Sequence, residues 1–147
     1  MNVSENRLQT MLDRLKSNGY KITPQRMAII KILSTSIGHP SVEEIYEQVK
    51  KIFPTISLAT VYKNILVIKE LGEVLELAFA NDRSRYDGHY PYPHPHAICM
   101  ECKKIVDSQL DILQDFTQKV REETGFSIYN HRIDFFGLCP DCQRSKQ

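Results

Sequence analysis

The chain has 147 residues, of which 41% are hydrophobic and 25% are charged, as in an ordinary globular protein. No apolar run approaches the roughly 20 residues of a transmembrane helix, and the polar, amphipathic N-terminus lacks the apolar core of a signal peptide. These features predict a cytoplasmic protein with no membrane partner. The formal net charge of +1 does not by itself indicate nucleic-acid binding, so that function has to be argued from motifs.

The first part of the chain predicts helices, because apolar residues recur at helical spacing between capping signals. Thr23, Ser41 and Ser57 are N-cap candidates, and Pro24 suits the first position of a helix. Four helices are therefore expected at residues 5–18, 24–35, 42–53 and 58–71.

Two short strands are expected after the helices, in "EVLELAFA" and "SRYDG", with the turn "NDRS" between them. Helices followed by such a hairpin predict a winged helix-turn-helix, whose recognition helix enters the major groove of DNA. The fourth helix begins with polar residues that suit this role, although an ordinary solvated helix face would look similar. These DNA-binding candidates are Ser57, Thr60, Tyr62, Lys63 and Asn64.

The strongest chemical signal is a set of four cysteines in the C-terminal third, arranged as Cys99-x-x-Cys102 and Cys139-x-x-Cys142. Disulfides are disfavoured in the cytosol, and four thiolates form a closed tetrahedral zinc site with a structural role. The alternative is a pair of redox motifs, but the βαβ context of a thioredoxin-like protein is missing. The 36 residues between the pairs exceed a compact zinc ribbon, so they have to include a folded element.

The residues around the cysteines predict a β-β-α-β unit. Strands are expected in "HAICM" and "KKIVDS", an amphipathic helix at 110–125, and a strand in "FSIYNHRIDFFGLC" that leads to the second cysteine pair. So small a unit with an exposed strand edge predicts dimerisation. The expected fold is therefore α+β, and its parts are an N-terminal winged-helix domain (1–84), a hinge (85–95) and a C-terminal α/β dimerisation domain with structural zinc (96–147).

A proline-rich stretch, "YPYPHPHAICMEC", connects the two predicted domains and contains His94 and His96. On a regular strand alternate side chains share a face, so this pair could bind one metal ion. Pro95 favours the three-residue period of polyproline II instead, in which the two side chains do not align. The sequence is therefore equally consistent with metal binding by His94 and His96 and with two solvated loop histidines. Further ligand candidates, each more typical of a surface residue when taken singly, are His39, Asp87, His89, Asp107 and His131.

No enzyme motif is present in the sequence. It has no Gly-rich phosphate loop, no Ser or Cys nucleophile with a plausible base, and no H-E-x-x-H. We therefore predict that the protein is not an enzyme. Two other classes remain as alternatives: a redox enzyme that uses its C-x-x-C pairs, and a structural zinc module that binds a protein partner.

Motifs along nearly the whole chain resemble the ferric uptake regulator (Fur) family of metal-dependent bacterial repressors. They are "ITPQR", "HPS" followed by "EEIY", "SLATVYKNI", "RYD", "HPHAICMECKKIVD" and "FFGLCPDC". The resemblance implies a homodimer that binds a palindromic operator in double-stranded DNA, with structural Zn²⁺ on the four cysteines. It also implies a regulatory Fe²⁺ or Mn²⁺ site formed by His39, Asp87, His94, His96 and Asp107.

Within the family the chain is most similar to the peroxide-responsive repressors (PerR). Asp107 stands where iron-sensing members usually have Glu, and Pro95 replaces the acidic residue that many of them carry. The resemblance implies that peroxide reacts with bound Fe²⁺ and that His39 or His94 is oxidised, so that metal and DNA are released. The alternative is a sensor of iron or another metal without peroxide chemistry.

Pro91, Pro93 and Pro95 depart from the family pattern, and His89 could replace His94 or His96 as a ligand. For DNA, the resemblance implies that Lys21 reaches the minor groove and that Arg26 contacts phosphate. It implies base contacts for Tyr62 and Asn64.

Overall fold

The computed structural model describes residues 3–79, 81–110 and 113–146. It divides the chain into two compact units, Met1–Tyr92 and Pro93–Gln147. Among the described residues, no helix is long and apolar enough to cross a membrane. The N-terminal unit contains α1 (Val3–Ser17), α2 (Pro24–Thr35), α3 (Val42–Lys50), α4 (Leu58–Glu70), β1 (Leu75–Phe79) and β2 (Asp82–Asp87).

Helices α2, α3 and α4 begin at the predicted capping residues. In each case the side-chain oxygen of the cap accepts a hydrogen bond from the backbone N–H three residues later, which would otherwise have no partner within the helix. The pairs are Thr23 with Arg26 at 3.1 Å, Ser41 with Glu44 at 3.2 Å and Ser57 with Thr60 at 3.1 Å. The predicted starts are therefore confirmed, whereas α3 ends at Lys50, before its predicted end at residue 53.

The four helices pack around one apolar core, which the aromatic ring of Tyr86 on β2 joins. Its side chains come from the predicted apolar faces, and removing them from water is the main stabilising contribution. Fully buried members are Met11, Leu15, Ile29, Ile30, Leu33, Ile45, Val49, Val61, Ile65 and Ile68. The winged helix-turn-helix prediction is confirmed.

Strand β2 contacts two neighbours. It pairs antiparallel with β1 from Leu75↔Asp87 to Phe79↔Asp82, so it begins two residues before the predicted strand. On its other side, residues 40–41 of the loop before α3 join it through a bridge between Ser41 and Arg85 and a 2.9 Å hydrogen bond from Tyr86 N–H to the Pro40 carbonyl. This pairing places the α2–α3 loop beside the end of the wing strand.

The C-terminal unit has the predicted β-β-α-β order with an additional helix. Its elements are β3 (His96–Cys99), β4 (Ile105–Asp107), α5 (Leu113–Thr124), β5 (Asp134–Gly137) and α6 (Pro140–Ser145). Strand β3 is central, antiparallel to β4 and parallel to β5.

Two details of the C-terminal unit differ from the sequence prediction. Only Asp134–Gly137 of the predicted strand at 126–139 forms β5, with the Ile133 carbonyl accepting a further 3.1 Å hydrogen bond from the N–H of His96, and within the single chain Tyr129 is 96% exposed. Helix α6 was not predicted. It starts with Pro140, whose fixed φ and missing N–H suit the first helical position, directly after Cys139.

Gly88, which follows β2, lies directly against α2. A Cβ atom added at this position would be 2.6 Å from the carbonyl oxygen of Leu33, closer than any real contact of that kind. From α1, Nε of Arg7 donates a 3.0 Å hydrogen bond to the Gly88 carbonyl. Two helices therefore hold the backbone immediately after Asp87.

We expect Gly88→Ala to destabilise the N-terminal unit by about 1–3 kcal/mol, because the methyl group would force α2 and the wing apart. Gly38→Ala is the matched control, since a Cβ there meets nothing within 4 Å. Denaturant unfolding followed by helical circular dichroism measures the difference. Equal midpoints for the two variants would contradict the close packing of Gly88.

Candidate metal centres

The four cysteine sulfurs of the C-terminal unit form one cluster. Their Sγ atoms all lie within 4.8 Å of one another, and the four residues are free thiols. The Sγ atoms of Cys102 and Cys139 are 3.7 Å apart. Tetrahedral Zn–S bonds of about 2.3 Å place sulfur atoms about 3.8 Å apart, so this spacing fits a zinc ion. The cluster combines the two C-x-x-C pairs into one set of ligands.

Backbone hydrogen bonds bring the two cysteine pairs together. After β3 the chain turns back at Lys103, which has a φ of 65°, and the Cys99 N–H bonds to the Lys104 carbonyl at 2.9 Å. The Met100 N–H donates to the carbonyl of Gly137 at 2.8 Å, which fixes the end of β5 beside the turn. Cys139 then follows β5 by two residues and reaches the same place.

The thiols differ in how easily they ionise. A backbone hydrogen bond from Cys139, then one from Cys102, lowers the pKa of Cys99 to about 6. Hydrogen bonds with the Cys139 and Cys99 side chains raise the pKa of Cys142 to about 12. The Cys99 thiolate therefore forms readily, whereas ionisation of the Cys142 thiol is opposed by the neighbouring cysteines. A divalent cation removes that opposition, because zinc binding displaces the thiol protons.

A second group of ligand candidates lies in the N-terminal unit, where Nε2 of His39 is 3.1 Å from Oδ2 of Asp87. Their side chains are only 1% and 2% exposed. The other oxygen of Asp87, Oδ1, accepts the backbone N–H groups of His89 at 2.9 Å and Tyr90 at 2.8 Å. These bonds fix the carboxylate so that Oδ2 faces the imidazole.

The conformation of His39 is held by Arg85, which sequence reasoning did not identify. His39 has a φ of 52°, in the left-handed region that residues other than glycine rarely adopt. The guanidinium of Arg85 donates to the carbonyl oxygen of Gly38 at 2.7 Å and also to that of His39. Since Arg85 precedes Asp87 by two residues on β2, the wing strand positions both ligand candidates.

The remaining ligand candidates meet in the C-terminal unit. Nε2 of His94 lies 2.8 Å from Oδ1 of Asp107, and Nε2 of His96 lies 3.3 Å from the same oxygen. The two imidazole centroids are 4.4 Å apart. In this structure Pro95 does not prevent the two rings from converging on one carboxylate. Two nitrogens and one oxygen are thus already arranged around a common point.

The other two histidines make different contacts. Nδ1 of His89 lies 3.2 Å from the carbonyl oxygen of Ser34, and the ring packs edge-on against Tyr90 at 4.5 Å. These contacts direct His89 toward α2. His131 is half-buried in the segment between α5 and β5, where its backbone N–H bonds to the Asn130 side chain.

Residues 17–136 match the model of the ferric uptake regulator family. The chain belongs to this family. A curated relative, the peroxide-responsive repressor PerR of Staphylococcus saprophyticus, is 42% identical over 139 residues, which cover 95% of this chain and 93% of that protein.

Two solved structures of the family show the same architecture. The Campylobacter jejuni peroxide stress regulator is 33% identical, with a TM-score of 0.71 over 89% of this chain and 98% of that one. The Helicobacter pylori ferric uptake regulator, described with three functional metal-binding sites, is 25% identical, with a TM-score of 0.79 over 95% and 96%. The relatives are regulators and repressors rather than enzymes.

In this Fur-family regulator, the DNA-binding candidates of α4 lie at its beginning. Ser57, Lys63 and Tyr62 are exposed, Tyr62 by 45%, and Thr60 is half-buried. Ser57 also caps the helix, so its hydroxyl is already bonded to Thr60. Tyr62 and Lys63 therefore offer the most accessible polar groups of the set.

Arg26 and Asn64 are bonded to each other. Nε of Arg26 donates to Oδ1 of Asn64 at 2.7 Å, and another nitrogen of the guanidinium donates to the carbonyl of Lys21 at 2.6 Å. The amide nitrogen of Asn64 donates to the Thr60 carbonyl at 2.8 Å. A base contact by Asn64 would have to replace these bonds, whereas Asn64 is well placed to orient Arg26.

We expect Cys142→Ser to abolish retention of zinc, because three thiolates and a hydroxyl bind zinc much more weakly than four thiolates. Arg144→Gln, on the same helix and with a side chain 70% exposed, should retain the metal. Metal analysis after exhaustive dialysis measures both. If the parent protein is found to contain no zinc and its cysteine pairs cycle between dithiol and disulfide, the redox alternative is supported.

Proposed function

We propose that this protein is a homodimeric, DNA-binding repressor that senses peroxide through iron at a regulatory site. The observation that best supports this proposal is the chemistry of the histidine and aspartate ligand candidates, whose donor atoms are only imidazole nitrogens and carboxylate oxygens. Such donors suit Fe²⁺ or Mn²⁺, whereas the thiolates suit structural Zn²⁺. The likeness to peroxide-responsive repressors supports the same reading.

We propose that one ion is bound jointly by the two ligand groups. The N-terminal unit supplies a prearranged pair and the C-terminal unit a prearranged trio, so little conformational freedom would be lost on binding. An ion that requires both groups would select one arrangement of the units, and through it the affinity for DNA. The proposed ligands are His39, Asp87, His94, His96 and Asp107.

Oxidation of a ligand would release the repressor from DNA. Fe²⁺ held by these residues would supply the electron that reduces peroxide, so that one oxygen atom of the peroxide would be added to a neighbouring imidazole and the other would leave as water. We assign His39 and His94 as the targets. An oxidised imidazole donates poorly to a metal, so the ion would be lost together with the arrangement that it selected. Mn²⁺ would support repression while resisting this chemistry.

For DNA binding we propose that α4 enters the major groove of each half of a palindromic operator. Tyr62 and Lys63 are exposed for this contact. Arg26 would contact phosphate, and Lys21 would approach the minor groove. A protein with this function acts on cytoplasmic DNA in a bacterium.

We propose that the C-terminal unit mediates dimerisation. Its buried apolar residues are few, while a large apolar surface is exposed on α5, β5 and the segment between them. A second copy would cover this surface. The exposed side chains are Phe116, Val120, Phe126, Tyr129, Phe135 and Phe136.

We expect peroxide to add the mass of one oxygen atom to peptides containing His39 or His94 in the iron-loaded protein. Peptide mass spectrometry before and after peroxide treatment measures the addition, with the manganese-loaded protein as control. His89 is an internal control, because its ring contacts the Ser34 carbonyl; it shares a tryptic peptide with His94, so fragment ions have to assign the addition to one ring. Unmodified histidines with persistent DNA binding would favour a sensor of iron occupancy instead.

We expect Arg26→Ala to weaken binding on cognate and scrambled operators alike, whereas Tyr62→Ala should cost about 1–3 kcal/mol on the cognate sequence and relax specificity. Asn64→Ala decides between two roles: a uniform loss indicates orientation of Arg26, and a loss confined to the cognate sequence indicates base contact. Gel shifts at fixed salt measure all three. Lys16→Ala, at the exposed end of α1, is the control and should leave binding unchanged.

A further inference from the structure

Asp134 lies next to His96, one of the proposed metal ligands, but is not itself among those ligands. We propose that Asp134 is a positioning residue, whose carboxylate accepts the Nδ1–H of His96 and thereby directs Nε2 of that ring to the regulatory metal. The proposal rests on the assignment of His96 as a ligand and adds the group that orients it.

Strand register brings the residues together. In the sheet β4-β3-β5, His96 on the central strand is paired with Asp107 on one side and with Asp134 on the other. Directly opposed residues of neighbouring strands have side chains on the same face. A histidine is thus placed between two carboxylates by backbone pairing alone.

The side-chain geometry agrees with this placement. Nε2 of His96 lies 3.3 Å from Oδ1 of Asp107, and Nδ1 lies 3.6 Å from Oδ1 of Asp134. The ring is 1% exposed and the Asp134 side chain 11%. A shift of a few tenths of an ångström would convert the second contact into a hydrogen bond.

Arg132 holds the other oxygen of the carboxylate. Its Nε donates to Oδ2 of Asp134 at 2.7 Å, and the Arg132 side chain is 36% exposed. By contrast, Oδ1 of Asp134 is buried and has no hydrogen bond to any described residue. A buried carboxylate oxygen is costly unless a donor reaches it, and the donor that faces it is the imidazole of His96.

The consequence for metal binding is a choice of tautomer. A neutral imidazole carries one N–H, and the nitrogen that lacks the proton is the one that binds metal. The Asp107 carboxylate at 3.3 Å would hold a proton on Nε2 in the same way, so the choice is made when a metal ion lies between Nε2 and Asp107: the carboxylate of Asp134 would then keep the proton on Nδ1 and leave the Nε2 lone pair for the ion. Carboxylate partners of this kind also make the imidazole a stronger donor, and their loss typically weakens metal binding 10–100-fold.

A purely structural role is the competing possibility, since the ion pair between Arg132 and Asp134 could simply secure the end of β5. The two roles differ in what Arg132 contributes. If Asp134 acts on His96, removal of Arg132 leaves the orienting carboxylate in place. If Asp134 acts only through its ion pair with Arg132, Arg132→Gln and Asp134→Ala should weaken Mn²⁺ binding equally.

The test uses full-length, zinc-loaded protein without regulatory metal. Long-range ¹H–¹⁵N spectra of the histidine rings should show a proton on Nδ1 of His96 in the parent, and in Asp134→Ala loss of that proton in favour of Nε2–H, which Asp107 alone would then stabilise. Arg132→Gln should keep the parental tautomer.

The second readout is Mn²⁺ affinity, measured by the electron paramagnetic resonance signal of free Mn²⁺. We expect a 10–100-fold loss for Asp134→Ala, a smaller loss for Arg132→Gln and substantial recovery in Asp134→Glu. Zinc content should be unchanged in all three. If Asp134→Ala does not fold, Asp134→Asn, which keeps the volume and removes the charge, should weaken Mn²⁺ binding in the same direction.

An unchanged tautomer or Mn²⁺ affinity in a folded Asp134 variant would overturn the positioning role, as would equal losses for the Arg132 and Asp134 variants. Neither result touches the peroxide proposal. Conversely, failure of the parent to bind Mn²⁺ would refute the regulatory site and any effect of Asp134 on metal affinity. The tautomer spectra would then still report whether Asp134 orients His96.

Discussion

Both candidate metal centres depend on strand register. The side chains of a strand alternate with a period of two, so a slip of one residue would turn every ligand on that strand to the opposite face. In the C-terminal unit the register of β3 places His96 opposite Asp107 and sets Cys99 opposite Gly137. In the N-terminal unit the bridge between β2 and the α2–α3 loop brings His39 to the end of the wing strand. Hydrogen bonds of the main chain therefore determine where the ligands meet.

The two kinds of site use different donors for different purposes. The thiolates form a closed set that suits zinc, and zinc bound there would contribute to the folding of a unit whose buried apolar residues, among those described, are Ile98, Cys99 and Ile105. The imidazole and carboxylate groups suit harder ions, which bind less tightly and exchange more readily. The proposed sensor requires that difference, because its signal would depend on losing one metal while keeping the other.

Much of the N-terminal unit was predictable because its signals are local. Thr23, Ser41 and Ser57 mark helix starts through hydrogen bonds to a backbone N–H three residues away, and the apolar stripes follow from helical period. Local pattern extended the last strand too far, because residues 126–132 alternate without belonging to β5. It also gave no indication of α6, a helix of only six residues.

In the candidate sites, too, some features follow from local sequence and others depend on contacts between distant residues. The four cysteines stand out in the sequence because two C-x-x-C pairs in one chain are typical of a zinc site, and the family motifs indicate which histidines and aspartates to consider. The contacts of Arg85 with the loop at His39, of Asn64 with Arg26 and of Asp134 with His96 join residues that are far apart in the chain or on different elements.

By itself, the sequence determined the order of the helices and strands other than α6, the candidate zinc ligands, the resemblance to the family and the set of regulatory candidates. These properties follow from short-range spacing and from the chemistry of single residues. The tertiary structure alone decided that His94 and His96 converge on one oxygen of Asp107 despite Pro95, and that Asp134 stands behind His96. These relations depend on strand pairing and on the path of the backbone at a proline, and spacing along the chain contains neither.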